Sequence, residues 1–328
     1  MSKINVVQIG LGGVGSGIVN EILKTPNLKL VGVVAFRPEK IGQDVGILLG
    51  LPKPANIIIS SSIDDILNEH HVDVVLLATS KGKLHACEEE ITPLLKRGIN
   101  VISPCMDVSD PHLYDAVATR RIEAACQEGS SAFVGIGSTQ LVLRSLFALC
   151  ETARDIKEVR SFVHADVTKF PLESKRHEFG IMLTVDDFNS ASENNELRGR
   201  GALMKEAEYI ANRLGLDFDQ SISRYDPIIQ GDTVIGVDHI FEVFKDDARV
   251  VSYTYRFIED KDHQYFHQFD VDSTPSINAR VGFSLDRGIE GTIVPMVKAI
   301  DPVFSATPGI LMLHDLPAGI VRHPFKTT

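Results

Sequence analysis

Short apolar segments alternate with helical patterns over the first 135 residues of the chain. These segments are rich in Val and Ile and carry few polar residues: INVVQI, LKLVGVVAF, NIIIS, DVVLLAT, INVISP and SAFVGI. Strands of this composition are typical of parallel sheets buried on both faces. Because the strands alternate with helices, the pattern predicts βαβ units that form a doubly wound parallel sheet.

From about residue 155 the pattern changes to longer segments in which apolar and polar residues alternate: EVRSFVHADVT, TVIGVDHIFEVF, RVVSYTYRFIE, HQYFHQFDVD and ARVGFSL. Alternation with a period of two predicts strands with one covered face, and hence a mixed, largely antiparallel sheet. One helix is predicted between these strands, with an apolar stripe formed by Leu203, Ala207, Ile210, Ala211 and Leu214.

The tail from residue 288 has a helical pattern up to Ile300 and a loop-like pattern beyond it, and we expect it to return to the first domain. The predicted architecture is therefore an α/β protein with two domains. A dinucleotide-binding domain comprises residues 1–135 plus about 287–328, and an α+β substrate and dimerisation domain comprises residues 136–286.

Composition supports a globular protein and restricts its partners. The chain has 328 residues, of which 44% are hydrophobic and 23% charged, enough for two cores. A net charge of -11 disfavours nucleic acid and anionic membranes as partners. There is no signal-peptide pattern, no apolar run of about 20 residues, and no CxxC pair among the four cysteines. We expect a cytoplasmic location.

A glycine motif follows the first predicted strand and opens a helix. Gly10, Gly12 and Gly15 have the spacing GxGxxG, which suits a tight turn, a close approach to a pyrophosphate, and close packing of helix on strand. The free N–H groups of the helix favour an anion. The motif predicts a Rossmann dinucleotide site formed by Gly10, Leu11, Gly12, Gly13, Val14 and Gly15, although a purely structural glycine turn is the alternative.

The end of the second strand bears on which dinucleotide binds. An NAD site usually has Asp or Glu there, but Ala35 stands at that position, followed by Arg37 and Lys40. Without the acid there is no repulsion toward a 2′-phosphate, and a guanidinium can bind it in a bidentate way. We predict NADP(H), with NAD(H) as the alternative if Arg37 is an ordinary solvated loop residue.

Later strands should add cofactor contacts, because ligands of open α/β sheets collect at the carboxyl ends of the strands. The predicted contacts are Ala78, Thr79 and Ser80 after the fourth strand and Pro104 and Cys105 after the fifth.

Three stretches resemble a known family: VVQIGLGGVGSGI, then DVVLLATS with LLKRGINVIS, and the tail VPMVKAIDPVFSATPGILMLHDLP. The chain resembles the dihydrodipicolinate reductase-like dehydrogenases, and among them the 2,4-diaminopentanoate dehydrogenase and native amine dehydrogenase family. The resemblance implies nicotinamide-dependent reductive amination in a cleft between two domains, and a homodimer formed through the second-domain sheet.

The sequence departs from this family where a catalytic glutamate is expected. The family has a Thr-Cys-Glu-Glu type motif after the fifth strand, whereas this chain has Pro104, Cys105, Met106 and Asp107. A thioether cannot transfer a proton, so Asp107 is the nearest candidate for the catalytic acid. The alternative is a turn residue, since Asp is favoured in turns.

The second domain offers further candidates in FVHADVTKFPLESKRHEFG. His164 has the near-neutral pKa suited to proton transfer, and an anionic substrate group could be bound by Lys169, Lys175, Arg176 and His177. We take His164 and His177 as candidate catalytic residues. A solvent-facing strand is the alternative for His164. His263 and His267 lie on one strand face, but no other ligand pattern supports a metal.

The favoured hypothesis is an NADP(H)-dependent oxidoreductase of a small amine, imine or carbonyl compound. The alternatives are a carbonyl reductase related by fold only and a non-catalytic NADP(H)-sensing protein.

Overall fold

A computed structural model of the chain describes residues 3–79, 84–104, 110–168, 170, 172–194, 196–197, 205–260, 262, 264–283 and 290–317, without the side chains of 138–141, 283 and 290. The chain divides into two compact units. The first unit is Met1–Gln140 with Ile289–Thr328, and the second is Leu141–Gly288.

The first unit contains a seven-stranded sheet in the described part of the chain, in which every neighbouring pair is parallel. Its strands are β1 (Ile4–Ile9), β2 (Leu28–Val34), β3 (Ile59–Ser60), β4 (Val74–Leu77), β5 (Asn100–Ser103), β6 (Ala132–Gly135) and β13 (Gly309–Leu311). Their order is β13-β6-β5-β4-β1-β2-β3. The predicted doubly wound parallel sheet is confirmed, and β1 coincides with the segment INVVQI.

Helices pack against this sheet and bury the apolar faces that the sequence pattern indicates. They are α1 (Gly13–Lys24), α2 (Val45–Leu48), α3 (Ile63–Glu69), α4 (Leu84–Lys96), α5 (Pro111–Tyr114), α6 (Ala116–Gly129), α11 (Glu290–Lys298), α12 (Ile300–Phe304) and a 3-10 helix, Leu313–Asp315. In α1, for example, Ile18, Val19 and Ile22 are buried, as the helical period requires.

The tail is more regular than its loop-like pattern indicates. Gly309–Leu311 pairs in parallel with β6 and adds an edge strand to the first sheet. A three-residue strand is too short to show a period of two. Its existence depends on the hydrogen bonds that β6 offers, which the sequence pattern does not contain.

The second unit contains a six-stranded sheet, in the described residues, with the order β12-β11-β7-β10-β9-β8. Its strands are β7 (Arg154–Asp166), β8 (Gln220–Gln230), β9 (Thr233–Lys245), β10 (Ala248–Ile258), β11 (Tyr265–Thr274) and β12 (Ile277–Phe283). Only the pair β7–β10 is parallel among these described strands. The predicted mixed, largely antiparallel sheet is confirmed. Strand β8 was not predicted, because its mostly exposed residues show little apolar alternation.

Four helices lie in the described part of the second unit: α7 (Ser138–Cys150), α8 (Leu172–Phe179), α9 (Val185–Glu193) and α10 (Glu206–Leu214). The prediction of a single helix between the strands was wrong, since α8, α9 and α10 all lie between β7 and β8. Helices α8 and α9 are too short to show a clear helical period in the sequence. The predicted stripe holds for α10, where Ala207, Ile210 and Ala211 are buried, while Leu203 lies outside the described residues. Among the described residues, no helix has both the length and the apolar character to cross a bilayer.

Candidate functional site

The carboxyl ends of β1, β2 and β4 meet at Gly10. The Ala78 N–H donates to the Ile9 carbonyl at 2.8 Å, and the Gly10 N–H donates to the Val34 carbonyl at 2.9 Å. The chain continues from β1 to β2 on one side, and β4 begins the other half of the sheet on the opposite side. This is the topological switch point, where open α/β sheets bind their ligands.

Two glycines of the loop are required by the fold itself. Gly10 has a φ of +87°, and a Cβ there would lie 2.4 Å from the Ala78 carbonyl oxygen. A Cβ at Gly15 would lie 1.9 Å from the Gly10 carbonyl oxygen. Both distances are far below van der Waals contact. The loop can therefore lie against Ala78, and α1 against the loop, only because Gly10 and Gly15 lack side chains.

Gly12 differs from its two neighbours in the motif. It is exposed, it is the N-cap of α1 without a side-chain cap hydrogen bond, and a Cβ there would meet no described atom within 4 Å. The described residues therefore supply no steric reason for a glycine at this position. Space beside the N-terminus of α1, with its positive dipole end, fits the pyrophosphate of a dinucleotide.

The other predicted residues of the loop also differ in their burial. Leu11 is buried, Val14 is half-buried and Gly13 is exposed. Leu11 therefore anchors the loop in the core, while Gly12 and Gly13 face the open side.

The end of β2 places a cation against the glycine loop. The Lys40 ammonium donates to the Leu11 carbonyl at 2.6 Å. Arg37 is exposed, and its carbonyl accepts from the Lys40 N–H at 3.0 Å. Directly after β2 stands Ala35, which is buried and carries no carboxylate. The structure thus brings Lys40 next to the predicted nucleotide loop. Arg37 and Lys40 are the first and last residues of one hydrogen-bonded turn.

The ends of β4 and β5 provide two further polar positions. The Thr79 hydroxyl donates to Glu90 Oε2 on α4 at 3.0 Å, and the Ser103 hydroxyl donates to the Leu77 carbonyl at 3.2 Å. Pro104 is half-buried directly after β5. The predicted residues Ser80, Cys105 and Asp107 lie outside the described residues, as does Met106.

In the second unit, His164 forms a dyad with a carboxylate at the end of the parallel neighbour strand. Its Nε2 lies 2.9 Å from Asp260 Oδ2, and its ring stacks on Phe266 with 5.0 Å between the ring centres. Burial alone would raise the pKa of Asp260, but hydrogen bonds from the Asp262 backbone and the His164 ring hold that pKa below its ordinary value. His164 therefore faces an ionised carboxylate, which orients the ring as in acid–base histidines.

The face of the sheet on which His164 lies is the less buried one. Along β7, Val163 and Ala165 are buried, whereas Phe162 and His164 are half-buried. Helix α10 contacts β9 and β10 through its own buried stripe. Alternation thus places His164 away from the closely packed side of the sheet.

Two described residues of the predicted cluster, His177 and Lys175, have surroundings of their own. His177 is exposed on α8. Lys175 is 7% exposed, donates to the Thr168 carbonyl at 3.0 Å and pairs with Glu259. The suggestion that Lys175 binds an anionic substrate is therefore wrong, because its charge is already neutralised. Lys169 lies outside the described residues.

His267 is a core residue. It is fully buried, and burial lowers the pKa of its ring to about 3. Its Nε2 lies 3.2 Å from the Tyr265 hydroxyl. His263 lies outside the described residues, and the described part of the chain holds no group of three or more His, Cys, Asp or Glu side chains arranged for a metal.

Three polar residues that the sequence analysis did not single out support these sites: Gln8, Glu90 and Asp260. Gln8 had a signal in the sequence, since it is a polar residue that follows Val6 and Val7 and precedes Ile9 in a segment predicted to be a buried strand. Glu90 and Asp260 had none, because their partners Thr79 and His164 are 11 and 96 residues away in the chain.

Two known proteins of similar sequence are dehydrogenases. No family model matches the chain. The 2,4-diaminopentanoate dehydrogenase of Acetoanaerobium sticklandii is 24% identical over 97% of this chain and 94% of its own length. The L-aspartate dehydrogenase of Cupriavidus taiwanensis is 30% identical over 39% of this chain and 43% of its own length.

A solved structure supports the same relationship at the level of the fold. The amine dehydrogenase from Mycobacterium smegmatis superposes with a TM-score of 0.80 at 20% identity, over 96% of each chain. The resemblance predicted from the sequence is thereby confirmed: the chain is similar in sequence to a 2,4-diaminopentanoate dehydrogenase, and it shares the fold of an amine dehydrogenase.

Proposed function

We propose that this protein is an NADP(H)-dependent dehydrogenase that interconverts a small amine and its imine or carbonyl counterpart. The observation that carries the proposal is the glycine loop at the switch point, where Gly10 and Gly15 are needed by the fold and Gly12 leaves open space at the N-terminus of α1. Relatives named for amine and amino-acid substrates support the substrate class. A nicotinamide dinucleotide would supply the hydride chemistry.

The residues of this chain would then have separate roles. The first turn of α1 would hold the pyrophosphate by its N–H groups and its dipole. Lys40 and Arg37 would bind the adenosine end, and Thr79, held by Glu90, would lie at the carboxyl end of β4 where the sheet receives its ligand. The proton for the nitrogen or oxygen of the substrate must come from another group, for which Asp107 and His164 are the candidates.

The preference for NADP(H) is supported by the lack of a carboxylate at Ala35 and by the ammonium of Lys40 on the loop. We expect Arg37→Asp to weaken NADPH binding at least ten-fold and NADH binding little, because a carboxylate repels a 2′-phosphate and accepts from ribose hydroxyls. Fluorescence titration of both nucleotides measures this change. Exposed Arg97, on the loop after α4, provides the matched control as Arg97→Asp. Tighter binding of NADH than NADPH by the wild type would refute the assignment.

The catalytic proposal is tested by turnover. Wild-type protein, incubated with NADPH, ammonia and a panel of small ketones and keto acids, should oxidise NADPH with at least one of them. We expect Asp107→Asn to lower kcat at least a hundred-fold with an unchanged cofactor Kd, because the amide cannot donate a catalytic proton at neutral pH. Asp110→Asn is the control, since the Asp110 side chain accepts from the His112 N–H and caps α5. Full turnover by Asp107→Asn would remove Asp107 from the mechanism and leave His164, tested as His164→Gln.

One observation favours a second candidate function. Met106 stands where relatives of the resembled family have a glutamate, and a thioether transfers no proton. A protein that binds NADPH tightly but reduces no substrate of the panel would be an NADP(H)-sensing protein instead.

We further propose that two copies associate through the less buried face of the second-unit sheet. Phe162 and Ile240 are half-buried there, and the Arg256 guanidinium lies 5.1 Å from the centre of the Phe162 ring while it pairs with Asp238 at 2.7 Å. Aromatic and Arg side chains of this kind are enriched in interfaces. Light scattering should give the mass of two chains, and a monomer at micromolar concentration would contradict this. The thiols of Cys126 and Cys150 are buried and are not joined in a disulfide, which supports our proposal of a cytoplasmic location.

A further inference from the structure

A buried glutamine lies directly beneath the glycine loop. Gln8 is the fifth residue of β1 and is fully buried. Its Nε2 donates to the Ile9 carbonyl at 2.8 Å and to the Gly10 carbonyl at 2.8 Å. One amide nitrogen thus binds two consecutive carbonyl groups at the point where the chain leaves the sheet.

The orientation of this amide is fixed by its partners. With the amide reversed, its oxygen would face the oxygens of Ile9 and Gly10, and no hydrogen bond would form. Gln8 Oε1 has no hydrogen-bond partner among the described residues although it is buried. A buried acceptor without a partner costs stability, so an apolar residue would suit this strand better. Core packing alone therefore does not explain a glutamine here.

The bond to Gly10 determines where the next N–H group points. Because a trans peptide is planar, the Gly10 carbonyl and the Leu11 N–H point in opposite directions. The carbonyl is turned inward to Gln8, so the Leu11 N–H is directed away from the core. Helix α1 packs directly against the same carbonyl. A Cβ at Gly15 would lie 1.9 Å from the Gly10 oxygen and 3.0 Å from Gln8 Nε2.

We propose that Gln8 is a positioning residue for the nucleotide: it holds the Gly10 carbonyl inward and so presents the Leu11 N–H of the glycine loop to the pyrophosphate. This inference rests on the proposed function. Gln8 itself touches no ligand, because it is fully buried under the loop. Its contribution is to hold the loop in the binding conformation before the nucleotide arrives. Binding then loses less conformational entropy, and the affinity is higher.

The test separates nucleotide affinity from stability. Gln8→Met keeps the length and removes both donors, so we expect NADPH to bind at least ten-fold more weakly and the cofactor KM to rise with little change in kcat. The control is Val7→Ala, at the adjacent fully buried position of β1, which should lower the Tm at least as much and leave the NADPH Kd unchanged. Gln8→Leu replaces the methionine variant if that variant does not fold.

The outcomes distinguish this inference from the proposed function. Wild-type affinity for NADPH in a folded Gln8→Met or Gln8→Leu protein would overturn the role of Gln8. An equal loss of affinity in Val7→Ala would also overturn it, because the effect would then follow from stability. A wild-type protein that binds neither NADPH nor NADH would overturn the proposed function itself.

Discussion

Gly12→Ala is expected to fold as stably as the wild type and to bind NADPH at least ten-fold more weakly. A methyl group at this position meets no described atom of the protein within 4 Å, and φ there is -85°, an ordinary value for alanine. The change in folding stability should therefore stay within about 1 kcal/mol, as for other N-cap replacements. The methyl group would occupy the space through which a pyrophosphate approaches the backbone.

Gly15→Ala is the matched variant, with the same chemical change three residues away. Its methyl group would lie 1.9 Å from the Gly10 carbonyl oxygen, so helix and loop must separate. We expect a loss of about 3 kcal/mol in the free energy of unfolding, at the upper end of the usual cost of overpacking. Chemical denaturation measures stability, and fluorescence titration measures NADPH affinity, in both variants.

The pair gives a clear decision on the candidate site. A Gly12→Ala protein with unchanged stability and unchanged NADPH affinity would show that the open space at α1 does not receive the nucleotide. Equal destabilisation of both variants would show that Gly12 is needed by the fold, and the glycine loop would lose its support as a binding site.

The second large effect concerns the stability of the protein in acid. His267 is fully buried, and its pKa falls from 6.5 to about 3 because burial disfavours the charged ring. Between these two pH values the unfolded chain binds one more proton than the folded chain. The free energy of unfolding therefore decreases as pH falls below 6.5, by up to about 1.4 kcal/mol per pH unit from this residue alone.

His267→Gln should remove this contribution, because glutamine can still meet the Tyr265 hydroxyl and does not titrate. The measurement is the free energy of unfolding from denaturant titrations between pH 7 and about pH 4, where the variant should show the shallower decline. His70→Gln is the control, since His70 is exposed and its replacement should leave the slope unchanged. Parallel slopes for wild type and His267→Gln would contradict the buried neutral state.

Much of the first unit follows from local pattern. The strands β1 to β6 could be predicted from the apolar composition of their segments and from the helical patterns between them. Short runs rich in Val and Ile that alternate with helices are typical of a parallel sheet buried on both faces. The glycine loop was predictable for the same reason: a fixed spacing after a strand has a mechanical meaning. The change to period two predicted the second sheet, although not its edge strand β8, whose Pro227 and exposed residues give no clear alternation.

The elements that the pattern missed are those stabilised from outside their own sequence. Strand β13 depends on pairing with β6. Helix α8 holds Lys175 against Glu259, which is 84 residues away in the chain. A short segment carries too little periodicity to reveal such partners, and a charge that looks available in the sequence can already be neutralised in the fold.

The sequence by itself determined the two sheet types, the glycine loop, the missing carboxylate at Ala35 and the family resemblance, because each depends on residues close together in the chain. Only the tertiary structure decided that Lys40 lies on the Leu11 carbonyl, that His164 is paired with Asp260, and that Gln8 supports the loop. The first two contacts join residues far apart in sequence. The third joins near neighbours, but it depends on the direction of one carbonyl, which the φ of +87° at Gly10 sets.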